Sequence, residues 1–166
     1  MSAAESDAAL TPMLERLADG LRARGWMLAS AESCTGGLIA AACTSLAGSS
    51  DWFERGFVTY SNAAKTELLG VPAALIAQHG AVSAEVARAM AAGALRRSHA
   101  QLAVAVTGVA GPGGGTALKP VGTVWLAVAL AGSPAQAELL QLGGDRADVR
   151  QQTVLRALEA LLAVLG

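Results

Sequence analysis

The stretch 26-WMLASAESCTGGLIAAACTSL-46 decides the fold. Trp26 to Ala31 is a short apolar run, Glu32 to Gly37 is a polar turn ending in two glycines, and Leu38 to Leu46 is rich in small helix formers. In that order the segment predicts strand, tight turn and helix, the repeating unit of an α/β domain. A strand end that feeds a helix start leaves backbone N–H groups without partners, so the same turn is a place where chemistry gathers.

The pattern extends in both directions. Upstream, Leu10, Met13, Leu14, Leu17 and Leu21 recur at helical spacing until Gly25. Downstream, Phe57 to Tyr60 is β-prone, Ser61-Asn62 reads as a helix cap, and Ala63 to Leu69 suits a short helix ended by Gly70. Pro72 opens another short helix, and Ser83 precedes a longer one with Val86, Met90, Ala94 and Leu95 on one face, closing on Arg96, Arg97 and His99. From Gln101 the chain predicts a strand to Val106, a glycine-rich loop Gly108 to Gly115, a strand Thr123 to Leu130 and an alternating segment from Ala135 to Leu142. Successive strands without a helix between them imply an antiparallel hairpin. Asp145 is the expected N-cap of a last helix whose stripe is Val154, Leu155, Leu158, Leu161, Leu162 and Leu165. The sum is an α/β fold: three layers, α/β/α, around a mostly parallel mixed sheet, in one domain over residues 1–166.

Composition narrows the function. In 166 residues, 53% hydrophobic and 15% charged, there is ample material for a core. The formal charge of −1 provides no global field for nucleic acid or an acidic membrane, so an anionic ligand must be held locally. The apolar runs Leu102 to Val106 and Val121 to Ala131 are far shorter than the roughly 20 residues of a membrane helix. The first twenty residues carry acids and no lysine, unlike an export signal. Cys34 and Cys43 would face opposite ways on one helix, so no disulfide is expected between them, and reduced thiols fit a cytoplasmic protein.

Ser33 stands at the strand-to-helix turn, where unpaired amides can hold an oxyanion, which suits a nucleophile; as a plain alternative, Ser33 or Thr35 caps the following helix. Cys34 is a competing nucleophile or a small buried residue. The two histidines are poor bases for Ser33: His79 is near a short helix's end and His99 lies beside Arg96 and Arg97. Lys65 follows Tyr60 by five residues at another strand-to-helix junction and can reach the same sheet end, forming a serine, tyrosine and lysine set. To act near neutrality it must lose roughly 2 to 3 units from about 10.4; otherwise it is the solvated face of a helix. Thr107 to Thr116 holds five glycines in ten residues and offers amides to a phosphate or sugar, yet lacks the endings that mark ATP or dinucleotide loops. Arg146 or Arg150, in the first turns of the last helix, can complete a phosphate site, or else belongs to surface ion pairs around a capped helix start. Two histidines and two cysteines argue against zinc.

Taken together, AESCTGG (31–37), VTYSNAAKTELLGV (58–71), VTGVAGPGGGT (106–116), KPVGTVW (119–125) and GGDRADVRQQTVLRAL (143–158) resemble the CinA C-terminal domain family, in order and over nearly the whole chain from Leu10. Stand-alone members of that family include nicotinamide-nucleotide amidohydrolases. The resemblance implies hydrolysis of nicotinamide mononucleotide to nicotinic acid mononucleotide and ammonia, in pyridine nucleotide recycling, with no metal or other cofactor. It makes Ser33 the nucleophile, Lys65 its base and Tyr60 a proton-relay or positioning hydroxyl. Thr107 is the implied polar contact near the reacting amide. Thr35, Gly36 and Gly37 at the helix start, with Gly108, Gly111, Gly113, Gly114, Gly115 and Arg146, are the implied substrate-binding set. Relatives often carry an N-terminal domain resembling a molybdopterin-binding fold, which these residues do not include. The expected partners are a small nucleotide substrate and a second copy of the chain, with no nucleic acid or membrane. The competing readings are a non-catalytic nucleotide-binding module, which has no need of Ser33, Tyr60 and Lys65 together, and an interaction domain linked to competence or DNA damage.

Overall fold

The computed structural model describes residues 3–166. The elements, in order, are α1 (Ala3–Arg24), β1 (Leu28–Glu32), α2 (Leu38–Ser45), a 3₁₀ turn (Ser49–Asp51), β2 (Phe53–Val58), α3 (Asn62–Leu69), α4 (Ala73–His79), α5 (Ala84–Arg96), β3 (Leu102–Gly108), β4 (Thr123–Leu130), β5 (Gln136–Gln141) and α6 (Arg146–Leu165). The strands form one sheet in the order β2-β1-β3-β4-β5. β1 pairs in parallel with both β2 and β3, whereas β4 runs antiparallel to β3 and to β5. Four of the five strands therefore point the same way, and the mixed, mostly parallel sheet expected from the sequence is present.

The central strands alternate between two kinds of side chain. Leu28, Leu102, Val104, Val106, Val124, Leu126 and Val128 face the layer of α1, α2 and α6, where Leu17, Leu21, Ile39, Leu158 and Leu161 complete the core. Ala29, Ala31, Ala103, Ala105, Ala127 and Ala129 face the other way, against Val86, Ala87, Met90, Ala91 and Ala94 of α5. Alanine methyl groups at the centre of that face let α5 approach closely, and at Gly93 a side chain would run into the Leu69 carbonyl. Enlarging an alanine there would cost about 1–3 kcal/mol by overpacking.

This winding sets the site. The β1-α2-β2 connection covers one face, and the path from β2 through α3, α4 and α5 to β3 covers the other. The chain therefore leaves β1 and β3 in opposite directions, opening a crevice beyond their carboxyl ends. β5 shares their direction, so the start of α6 reaches the same edge.

Local signals were mostly kept. Ser61 caps α3 by accepting from the Ala64 amide, Gly70 ends that helix at φ 69°, and Ser83 caps α5. Asp145 and Asp148 form a reciprocal capping box on α6. Two expectations shift. The second strand lies earlier than Phe57 to Tyr60: it spans Phe53–Val58, the Thr59 amide makes a last bond to the Glu32 carbonyl, and the chain then turns away. The hairpin is also wider than two strands, because β4 pairs with both β3 and β5. Among the described residues no helix is long and apolar enough to cross a membrane.

Candidate active site

Ser33 follows β1 directly. Its amide still bonds the Val106 carbonyl of β3, which holds the residue at the strand end, and its carbonyl accepts from the Gly36 amide to close the turn. α2 then starts at Gly37, whose φ of 111° is left-handed and which has no side chain to cap with. The cap comes from upstream. The buried Glu32 carboxylate accepts from the Ile39 amide at 2.8 Å, the Ala40 amide at 3.1 Å and the Thr35 hydroxyl at 2.6 Å. The last residue of β1 thus clamps the first turn of α2, with Ser33 in between. The helix dipole favours a carboxylate at that place.

Lys65 arrives from α3 and is 1% exposed. Its Nζ lies 3.1 Å from Ser33 Oγ, 3.0 Å from the Thr59 carbonyl and 3.3 Å from the Tyr60 carbonyl. These three oxygens can take the three N–H groups of an ammonium, and a neutral amine can equally give two N–H groups to the carbonyls and its lone pair to the serine hydroxyl proton. Burial pushes the Lys65 amine below the ordinary lysine range, with a smaller opposing effect from Cys34. The solvated-lysine alternative does not hold for this side chain.

Cys34 lies beside Ser33 and is buried too. Burial pushes its thiol up to about 11, so at neutral pH about one in 10⁴ is thiolate. Cys43 is buried on α2 and unpaired, and no disulfide joins the two.

Ser33, Cys34, Tyr60, Lys65, Thr107, Gly108 and Arg146 line one pocket of about 230 Å³, together with Asn62, Ala81, Val82 and Ala110. The Tyr60 ring is exposed, and its hydroxyl accepts from Arg146 Nη2 at 3.1 Å, so it is the backbone carbonyl of Tyr60, not the phenol, that reaches the serine and lysine. Arg146 also donates from Nη1 to the Gly111 carbonyl at 2.9 Å, tying the glycine-rich loop to the pocket rim. The Thr107 hydroxyl donates to the Ala81 carbonyl at 2.9 Å.

Not every residue expected to touch a ligand faces this pocket. Thr35 is fully buried with its hydroxyl on Glu32, so its side chain supports the turn from inside. Gly36 and Gly37 supply left-handed backbone. Gly113, Gly114 and Gly115 are on the exposed arm of the loop, whereas Gly108 lines the pocket and Gly111 meets Arg146. Neither Arg146 nor Arg150 pairs with Asp145 or Asp148, whose carboxylates cap α6; Arg150 bonds the carbonyls of Cys34 and Thr35, each at 3.2 Å. Sequence reasoning passed over Glu32 as part of a polar turn. Its signal was a lone carboxylate closing an apolar strand, just ahead of a helix whose cap position is glycine. No group of three or more His, Cys, Asp or Glu is placed to hold a metal ion among the described residues.

Fold and pocket define a doubly wound α/β protein with a buried lysine against a serine at the point where the winding reverses. The chain belongs to the CinA C-terminal domain family, whose model matches residues 10–165. It is 56% identical over 153 residues to a nicotinamide-nucleotide amidohydrolase PncC of Pseudomonas putida, covering 92% of this chain and 95% of the relative. It is 49% identical over 156 residues to the protein of that name in Escherichia coli K12, with 94% of each covered. Among solved structures it resembles a competence/damage-inducible protein of Agrobacterium tumefaciens at TM-score 0.91 and 47% identity, covering 93% of this chain and 94% of that one.

Proposed function

We propose that this protein is an amidohydrolase that converts nicotinamide mononucleotide to nicotinic acid mononucleotide and ammonia, with Ser33 as nucleophile and Lys65 as its base. The observation that carries this reading is Lys65 Nζ, buried, held by two carbonyls and 3.1 Å from Ser33 Oγ. A buried lysine is a costly way to support a fold, and a binding module has no use for one aimed at a serine. The names of the relatives supply the substrate.

In this mechanism Ser33 Oγ attacks the carboxamide carbon while its proton passes to Lys65 Nζ. The oxyanion is held by amides of the turn; that of Thr35 has no acceptor among the described residues. When the tetrahedral intermediate collapses, the lysine returns the proton to the leaving nitrogen as the C–N bond breaks. Water, deprotonated by the same amine, then attacks the acyl-serine, and the lysine returns that proton to Ser33 Oγ as the C–O bond breaks and the acid leaves. Arg146 and the Gly108 to Gly115 loop hold the phosphate end, Tyr60 sets the Arg146 guanidinium through its hydroxyl, and Thr107 contacts the amide region.

The test is incubation with nicotinamide mononucleotide, following ammonia and the acid nucleotide together. Stoichiometric release of both supports the reading; binding without turnover would leave a nucleotide-binding module. Salt-dependent DNA binding would instead favour the competence-linked reading, for which a formal charge of −1 offers no footprint.

A further inference from the structure

Arg150 does something different from Arg146. It lies one helical turn further along α6, is half-buried, and reaches across the layer to the nucleophile turn. Nε donates to the Cys34 carbonyl and Nη2 to the Thr35 carbonyl, each at 3.2 Å. Two separate nitrogens of one rigid guanidinium therefore hold two successive peptide units. In a trans peptide the N–H points opposite to its own C=O, so fixing the Cys34 carbonyl fixes the direction of the Thr35 amide. A cation on a carbonyl also polarises the peptide and makes its N–H a stronger donor. That amide has no acceptor among the described residues. Gly36, the next residue, holds left-handed backbone at φ +59° and lies against the same guanidinium.

We infer that Arg150 is a positioning residue for the acyl-transfer step: it aims and polarises the Thr35 amide toward the oxyanion that forms when Ser33 attacks, and does not bind the substrate's phosphate. The inference rests on Ser33 being the nucleophile. Glu32 grips the turn from the helix side, and Arg150 grips it from α6. Arg146, four residues earlier, lines the pocket of Ser33 and Lys65, whereas Arg150 lines only the adjoining cavity beside the start of α6 and has Nε and Nη2 on backbone carbonyls.

The experiment compares Arg150→Ala and Arg150→Lys with the wild type in three readings: steady-state kinetics on nicotinamide mononucleotide, thermal stability, and affinity for 3-pyridineboronic acid. The boronate forms a tetrahedral adduct with an active serine. Loss of the aimed amide should lower kcat about 10- to 100-fold in Arg150→Ala, with KM within about twofold, and weaken the boronate by a comparable factor. Arg150→Lys, which keeps the charge but not the two-pronged grip, should fall between, and it also serves if the alanine variant folds poorly. A raised KM with kcat kept would make Arg150 a phosphate ligand and overturn the inference. Lowered stability with kcat, KM and boronate affinity unchanged in the folded protein would make it structural only, and would equally overturn it. If wild type neither turns over the nucleotide nor binds the boronate, the serine mechanism itself is at fault, a result distinct from the other two.

Discussion

The two ends of the pocket are built differently. At the inner end Ser33, Lys65 and Glu32 are all less than one-tenth exposed, and the strand ladder, a helix start and two carbonyls hold them in place. At the outer end Arg146 and Tyr60 are exposed, and a side-chain bond of 3.1 Å joins them. Burial at the inner end pushes the amine beside the serine below the ordinary lysine range, whereas at the outer end an exposed guanidinium is bonded to Tyr60 and Gly111. On the proposed mechanism, the chemistry that needs a displaced pKa would be carried out where water is excluded, and recognition of the charged group would be left to the rim.

Removing either inner partner should have the largest effect. Ser33→Ala and Lys65→Met should each lower kcat by about 10³-fold or more, with KM little changed. The pH profile sharpens the same point: with Lys65 as base, kcat/KM should rise with pH and reach its plateau below the usual lysine value of about 10.4. The folded state holds the Lys65 proton less tightly than the unfolded chain, so stability is lost as pH falls through the folded pKa and regained as pH rises toward the unfolded value. Lys65→Met should remove that part of the dependence of Tm on pH.

Glu32→Gln is expected to come next. The amide would keep one oxygen for Thr35 and Ile39 but turn an N–H toward the Ala40 amide, leaving a buried donor unpaired at a cost of about 1–3 kcal/mol, with kcat down about tenfold as the turn loosens. A melt and steady-state kinetics on the same sample check both. At the outer end Arg146→Ala should raise KM about tenfold and leave kcat within a few-fold, since a clamp distant from the reacting carbon gives uniform binding. An unchanged KM would erase the contrast between the two ends. Cys34→Ala should keep most of the rate, because a thiol pushed up to about 11 is not the attacking group at neutral pH. Treatment with EDTA should leave turnover unchanged, as the proposed steps use side chains alone.

What could be read from the sequence divides along a similar line. Ser61, Gly70, Ser83 and Asp145 act within five residues of themselves, so their capping roles were visible in local pattern. The Ser33 turn was visible as a strand end followed by glycines. Glu32 was not, because the amides that donate to it are seven and eight residues on and the rule for caps looks three ahead. Arg150 was left between a phosphate site and surface ion pairs because its partners lie 115 and 116 residues away, a distance that only the packing of α6 beside α2 closes. Thr35 resembled a ligand contact by position, and only burial shows its hydroxyl turned inward. The order of β4 and β5 was likewise tertiary, since both read simply as strands.

The central claim is that Ser33 and Lys65 act as one unit, and the measurement that tests it most directly is the kcat of Ser33→Ala, Lys65→Met and the double variant, each shown to be folded by circular dichroism. A unit loses its function once, so the double variant should be within a few-fold of the worse single variant. If the two losses multiply, or if Ser33→Ala keeps its turnover while Cys34→Ala loses it, the serine and lysine do not form the catalytic pair and the account is wrong.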